Sequence, residues 1–208
     1  MRHVIALLAS LLLHPVTSPA PVPASVPAGT FQLLVVTARG SSGTLTAYAS
    51  ISGQWRVVFP GMPARIGARG LSDHKREGDL TTPSGTFAIG PTMYGLRPNP
   101  GVHYPYHALV PGDYWNENPS SPGYNTFVHG PNPGGASEAL WRIAPQYDYF
   151  AIIQYNTPAV PGRGSGVFLH EMVPGHATAG CVALARDNLV KILRWLDPGA
   201  APRIVLRQ

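Results

Sequence analysis

Cysteine is almost absent from this chain: Cys181 is the single one among 208 residues. One thiol excludes any disulfide within the chain, and with it the small stapled scaffolds. Charge is scarce as well, with Asp, Glu, Lys and Arg at 12%. Long apolar runs are missing. The longest, Val4–Leu13, is apolar throughout except Ser10, and it falls well short of the roughly 20 residues that cross a bilayer. The basic residues are scattered, without an arginine–aromatic stripe, so no nucleic-acid partner is expected. No internal repeat is visible, which sets aside repeat arrays.

What is present begins with a leader. Met1–His3 is basic, Val4–Leu13 is apolar, and His14–Ala24 turns to Pro, Ser, Thr and small residues. This is the pattern of a secretory signal peptide over 1–24, cut after Ala24. Residues 25–30 read as a Pro/Ala linker and 31–208 as one folded domain of ordinary size. The mature chain is expected to be secreted, with no membrane span and as a monomer. Losing Arg2 takes the 15 basic residues to 14 against 10 acidic ones, a balance of +4. So mild an excess points to anionic polymers and to nothing sharper. In an oxidising compartment an odd cysteine is an intermolecular bridge, a reactive thiol or a buried structural residue.

Gly and Pro number 23 each, about 22% of the chain, which lies below the level that implies disorder. Short β-type runs follow one another between these breakers: 31–38, 44–50, 54–59, 85–90, 125–130, 149–155, 166–170, 181–184 and 202–206. Their number and spacing predict a mainly β sandwich or barrel. Residues 91–124 are the least regular stretch and read as a long functional loop or lid. One helix is predicted near the C-terminus. Leu189, Ile192, Leu193 and Leu196 share one face, Asp187 is placed to cap its start, and Pro198–Gly199 stops it. Trp195 lies beside that stripe and reads as core.

The segment Ser165–Leu184, "SGVFLHEMVPGHATAGCVAL", holds two histidines and the thiol. It admits three readings. As a metal site it fails the zinc-protease spacing, because His170 and His176 are six apart with Pro174–Gly175 between them and a helix cannot run through that pair. A loop-borne zinc site with Cys181 remains a second possibility. As structure, His170 ends a strand and Cys181 packs as a small hydrophobe. As chemistry, a strand ending in His170, a loop and a return strand starting at Cys181 bring imidazole and thiol together. The imidazole then helps to ionise the thiol near neutrality. Gly180 lets the backbone approach a substrate and leaves the amides of Gly180 and Cys181 free for an oxyanion.

Other residues compete for roles. His129, in "FVHGP", is a rival base. His176 reads as a loop residue facing solvent. Tyr114, Trp115 and Asn116 either line a cleft or pack beneath a long loop. The charge run 73–79, "DHKREGD", reads as a solvated loop.

Taken together, "FLHEMVPGHATAGCVAL" and the following "LVKILRWLDP" resemble the catalytic end of bacterial L,D-transpeptidases. The family pattern is a strand-end histidine, a variable loop and a Ser/Thr-x-Gly-Cys segment. Here these are His170 and Thr178–Ala179–Gly180–Cys181. The Gly-rich stretch 64–87 with its Thr-Pro-Ser-Gly-Thr-Phe turn, and the loop 114–131, are similar to further parts of the family. Where many members have a histidine before the Gly-Cys pair, this chain has Ala179. It also has Glu171 after the histidine and Ala183 two residues beyond the cysteine. The resemblance implies an L,D-transpeptidase-like β-sandwich or barrel with one C-terminal helix and long loops. It implies that Cys181 is the nucleophile and His170 the base, with Gly180 and Thr178 at the oxyanion and substrate side, and with no metal or cofactor. The substrates would be peptidoglycan stem peptides, cut between an L-centre and D-alanine and joined as 3-3 cross-links. Hydrolysis of the same bond, or a wall-binding module without catalysis, are the alternatives. The protein would be associated with the cell wall.

Overall fold

The structure, a computed structural model, describes residue 22 and residues 26–208. Apart from Val22, the leader reading of 1–24 lies outside the described residues, as does Ser25. The rest of the proposed linker is held at its ends, at the half-buried Val26 and the buried Thr30, while residues 27–29 are exposed. Val26 packs against the cluster of Leu33, Val35, Tyr48 and Val205, and the Thr30 amide donates to the Pro27 carbonyl at 3.3 Å.

Strands β1 (Gln32–Arg39), β2 (Ser42–Ile51) and β3 (Gln54–Arg65) form an antiparallel meander. Ser52 and Gly53, at φ 51° and 77°, join β2 to β3. Both residues are left-handed, the turn geometry that matches strand twist in a two-residue hairpin. Two short strands, β4 (Leu71–Ser72) and β5 (Thr82–Pro83), pair with each other. Then come β6 (Gly85–Gly95), β7 (Tyr106–Ala108), β8 (Asp113–Asn116), β9 (Thr126–His129) and β10 (Glu138–Ala139). The chain closes with β11 (Phe150–Ile153), β12 (Phe168–Glu171), β13 (Val182–Leu184), helix α1 (Arg186–Trp195) and β14 (Arg203–Arg207).

The main sheet runs β11-β12-β13-β3-β2-β1-β14-β6-β7. Because β6 also pairs with β11, through Tyr94↔Phe150 and Ile89↔Ile153, the strands from β11 round to β6 close on themselves. The mainly β expectation thus resolves as a barrel, and closure removes the exposed edges that an open sheet would carry. Among the described residues no helix is long and apolar enough to cross a membrane.

Helix α1 buries Leu189, Ile192 and Leu193 in the main core, the face that the 3.6 period predicts, and Leu196, expected on the same stripe, is the extended C-cap residue and is buried there too. Trp195 meets Phe59 edge-on, with ring centroids 5.7 Å apart. Asp187 is not the cap. The N-cap is Ala185, without a side-chain hydrogen bond, and Asp187 lies in the first turn. There its charge favours the helix N-terminus.

Residues 91–124 are less irregular than their proline content suggests. β6 continues to Gly95, and the region holds β7 and β8. Strands β10, β8 and β9 form a second sheet. Its Trp115 packs into a smaller core with Tyr94, Leu140, Tyr147, Phe150, Phe168 and Cys181.

Candidate active site

Strands β12 and β13 are parallel, with His170 opposite Ala183 and Leu169 opposite Val182. Side chains alternate along a strand, so Leu169, Val182 and Leu184 face the main core. Phe168, His170, Cys181 and Ala183 face the other way. Cys181 stands two residues before the partner of His170 and on its face. Both line one cavity of about 390 Å³, with Glu138, Gln146, Tyr147 and Thr178. Coverage on both faces explains why β12 and β13 are almost entirely buried.

His170 is 7% exposed. Its Nδ1 lies 2.7 Å from the carbonyl oxygen of Glu171. A carbonyl can only accept, so Nδ1 carries the proton and Nε2 is left as the lone-pair nitrogen. Tyr147 meets the imidazole edge-on, centroids 5.9 Å apart. Burial pulls the imidazole down to about 4, against the small upward pull of the Glu171 carbonyl.

Cys181 is also buried. Its thiol donates to the Gly166 carbonyl at 3.2 Å and accepts the Phe168 amide at 3.3 Å. Burial, reinforced by the nearby Glu138 carboxylate, pushes the thiol up to about 12. The spacing of His170 and Cys181 predicts an imidazole-ionised thiol. The structure instead holds a protonated thiol that is bonded to the backbone, because desolvation outweighs the amide that would favour the anion.

The turn before the cysteine is fixed by Thr178. Its hydroxyl donates to the Cys181 carbonyl at 2.7 Å and accepts the Gly180 amide at 3.2 Å. The Gly180 amide is therefore occupied, contrary to the expectation that it stands free for an oxyanion. The Cys181 amide has no hydrogen-bond partner among the described residues. Gly180 has a structural reason as well, since a Cβ there would lie 2.9 Å from the Thr81 carbonyl and 3.0 Å from Lys75 Nζ. Both backbone and ammonium press on that position, and there is no room for a side chain.

Lys75 and Asn125 were not singled out by sequence reasoning. Lys75, inside the charge run read as solvated, is 7% exposed. It donates to the Thr81 carbonyl at 2.8 Å and Asp79 at 3.2 Å. Asn125, at φ 57°, accepts both the Trp115 indole N–H and the Gly166 amide at 3.1 Å. It ties the second sheet to the residue whose carbonyl holds the thiol. Alternation of apolar and polar residues carries no signal for such a pin. A lone Asn before a strand in a Gly-rich segment was the available cue.

The remaining candidates fall elsewhere. His129 Nδ1 pairs with the buried Asp113 at 2.8 Å, as does His107 Nε2, and His129 does not line the cavity of Cys181. His176 is exposed and borders that cavity. Trp115 stands edge-on to Phe168 at 5.0 Å, and Tyr114 edge-on to Trp141 at 4.9 Å. Both are packed rings, and neither they nor Asn116 line the cavity. Among the described residues, no three His, Cys, Asp or Glu side chains are grouped as metal ligands would be. Glu171 turns from the cavity to Arg186, 3.1 Å away, and Arg186 reaches Asp148 at 2.5 Å.

A model of the L,D-transpeptidase catalytic domain, YkuD, matches residues 32–205. No curated protein matches the chain. Among solved structures, the helical cell shape determining protein Pgp2 from Campylobacter jejuni is similar over 86% of this chain and 47% of its own. The identity is 14% and the TM-score 0.41. The chain spans about half the length of that structure.

Proposed function

The chain belongs to the L,D-transpeptidase catalytic-domain family, and we propose that it is an exported cysteine acyltransferase acting on peptidoglycan stem peptides. The observation that carries this reading is the shared face of β12 and β13, which puts Cys181 and His170 on one cavity. The leader pattern of 1–24 supports export.

In this mechanism the S–H turns from the Gly166 carbonyl toward His170 Nε2. As Sγ attacks the carbonyl carbon of the L-centre, Nε2 takes the thiol proton. The negative charge on the former carbonyl oxygen falls to the Cys181 amide. The amide bond then breaks, His170 returns the proton to the departing D-alanine nitrogen, and a thioester remains on Sγ. A side-chain amine of a second stem attacks the thioester carbon and gives its proton through His170 to the leaving sulfur. The product is a 3-3 cross-link, and the thiol is restored. Water in place of the amine gives L,D-carboxypeptidase trimming through the same thioester.

Incubation with purified tetrapeptide-bearing fragments tests the reading. Cross-linked dimers with release of D-alanine are expected, and neither should appear with Cys181→Ala. Release of D-alanine with tripeptides alone would make the protein a hydrolase. Intact tetrapeptides after exposure to folded protein would leave a wall-binding module.

A further inference from the structure

The proposed proton transfers use the thiol and imidazole and leave another wall of the cavity without a task. Glu138 and Gln146 line that cavity alongside Cys181 and His170. Glu138 begins β10, so the second sheet delivers it, and its Oε2 accepts the hydroxyl proton of Tyr147. Gln146 is anchored by its main chain, whose carbonyl accepts the Glu171 amide at 3.1 Å. Its side-chain oxygen is buried and has no donor among the described residues. Leaving such an acceptor unpaired carries the full cost of its desolvation. A ligand that brings an N–H removes that cost. The described residues lining the cavity include no Lys or Arg, so no fixed side-chain cation of that lining already pairs with Glu138. Burial also holds the Glu138 carboxyl above its ordinary range, and an arriving cation would favour its ionised form.

We propose that Glu138 and Gln146 form a subsite for the primary ammonium group of a substrate, one N–H for the carboxylate and another for the free amide oxygen. Three N–H donors on one small cation suit two separate acceptors. Glu138 thereby becomes a specificity-determining residue. The proposal rests on the acyl-transfer reading only for which peptide carries the ammonium.

Binding to the chain carrying Cys181→Ala separates recognition from turnover. N-acetyl-L-lysyl-D-alanine is expected to bind about tenfold tighter than its norleucine isostere, which lacks the ammonium. Adding Glu138→Gln should bring the two within roughly twofold, and adding Gln146→Met should cut the preference about threefold. A preference seen with the D-alanine peptide places the ammonium on the acyl donor. One confined to N-acetyl-L-lysine amide places it on the acceptor, and either supports the subsite. Equal binding of lysine and norleucine peptides overturns it, as does a preference that survives both substitutions. Should Glu138→Gln fail to fold, the preference measured in Gln146→Met decides between these outcomes. D-alanine release by the unsubstituted chain is measured alongside. Its absence with the preference intact sinks acyl transfer and keeps the subsite. Its presence without a preference sinks the subsite alone.

Discussion

His170 donates from Nδ1 to the carbonyl oxygen of its own neighbour, Glu171, across 2.7 Å. That bond selects the tautomer with a free lone pair on Nε2. Burial then keeps the ring neutral down to about pH 4, while Cys181 stays protonated up to about 12. The resting pair is a neutral thiol and a neutral imidazole rather than a thiolate–imidazolium pair. In the proposed reaction, ionisation of sulfur therefore accompanies attack on the substrate.

The first prediction concerns that resting state. Ultraviolet absorbance of thiolate should be missing across neutral pH, and iodoacetamide should alkylate Cys181 more slowly than a free cysteine of ordinary pKa about 8.5. Thiolate absorbance that persists into mildly acid solution would contradict the neutral pair.

A second prediction follows from linkage. The unfolded chain protonates this histidine at its ordinary 6.5, and the folded chain at about 4. Between those values the unfolded form binds more protons, so stability is lost as pH falls through the window. The loss from this group is on the order of 3 kcal/mol. Glu117 acts oppositely. Burial, with Glu138 and Glu77 nearby, raises its carboxyl from 4.5 to about 8, so its contribution is lost as pH rises between them. The two windows overlap between 4.5 and 6.5, where the contributions oppose each other, so urea midpoints there should fall with rising pH in His170→Asn and climb with rising pH in Glu117→Gln. Unchanged slopes in both variants would refute the assignments.

Thr178→Val removes the hydroxyl that bridges the Cys181 carbonyl and the Gly180 amide. A destabilisation of about 1–3 kcal/mol is expected, with slower acylation of Cys181. Thr178→Ser should restore both. A Val variant as stable and as fast as the parent would show that the turn holds without this side chain.

Arg186 neutralises Asp148 and Glu171, whose side chains are 3% and 9% exposed. Breaking a buried pair costs about 3–5 kcal/mol. Because Arg186 is itself 43% exposed, screening reduces the figure expected for Arg186→Met to about 2 kcal/mol. Denaturant unfolding measures it, and a change near zero would mean that Arg97, 3.1 Å from Asp148, and water suffice.

Much of the fold was legible because apolar runs between Gly and Pro mark strands wherever they occur. The helix stripe of Leu189, Ile192 and Leu193 was legible for the same local reason. Barrel closure was not. It depends on β6 bonding β14 through Gly85–Ala88 and β11 through Ile89–Tyr94, and neither strand lies near β6 in sequence. At the site, the lone thiol and the strand–loop–strand spacing drew attention to Cys181 and His170. Lys75 escaped because a charge run normally points to solvent. Glu138 escaped because its two-residue strand has no pattern to read. The occupied Gly180 amide was hidden too, since a hydroxyl two residues away either caps a turn or faces a ligand, and sequence does not choose.

Whether Cys181 and His170 work as nucleophile and base is decided by intact-protein mass spectrometry after exposure to a carbapenem. One covalent adduct is expected on the unsubstituted chain and none on Cys181→Ala. His170→Gln should form it about 100-fold more slowly, as expected for the loss of a general base. An adduct that persists on Cys181→Ala, or that forms on His170→Gln at the parental rate, would contradict the pair's assigned roles.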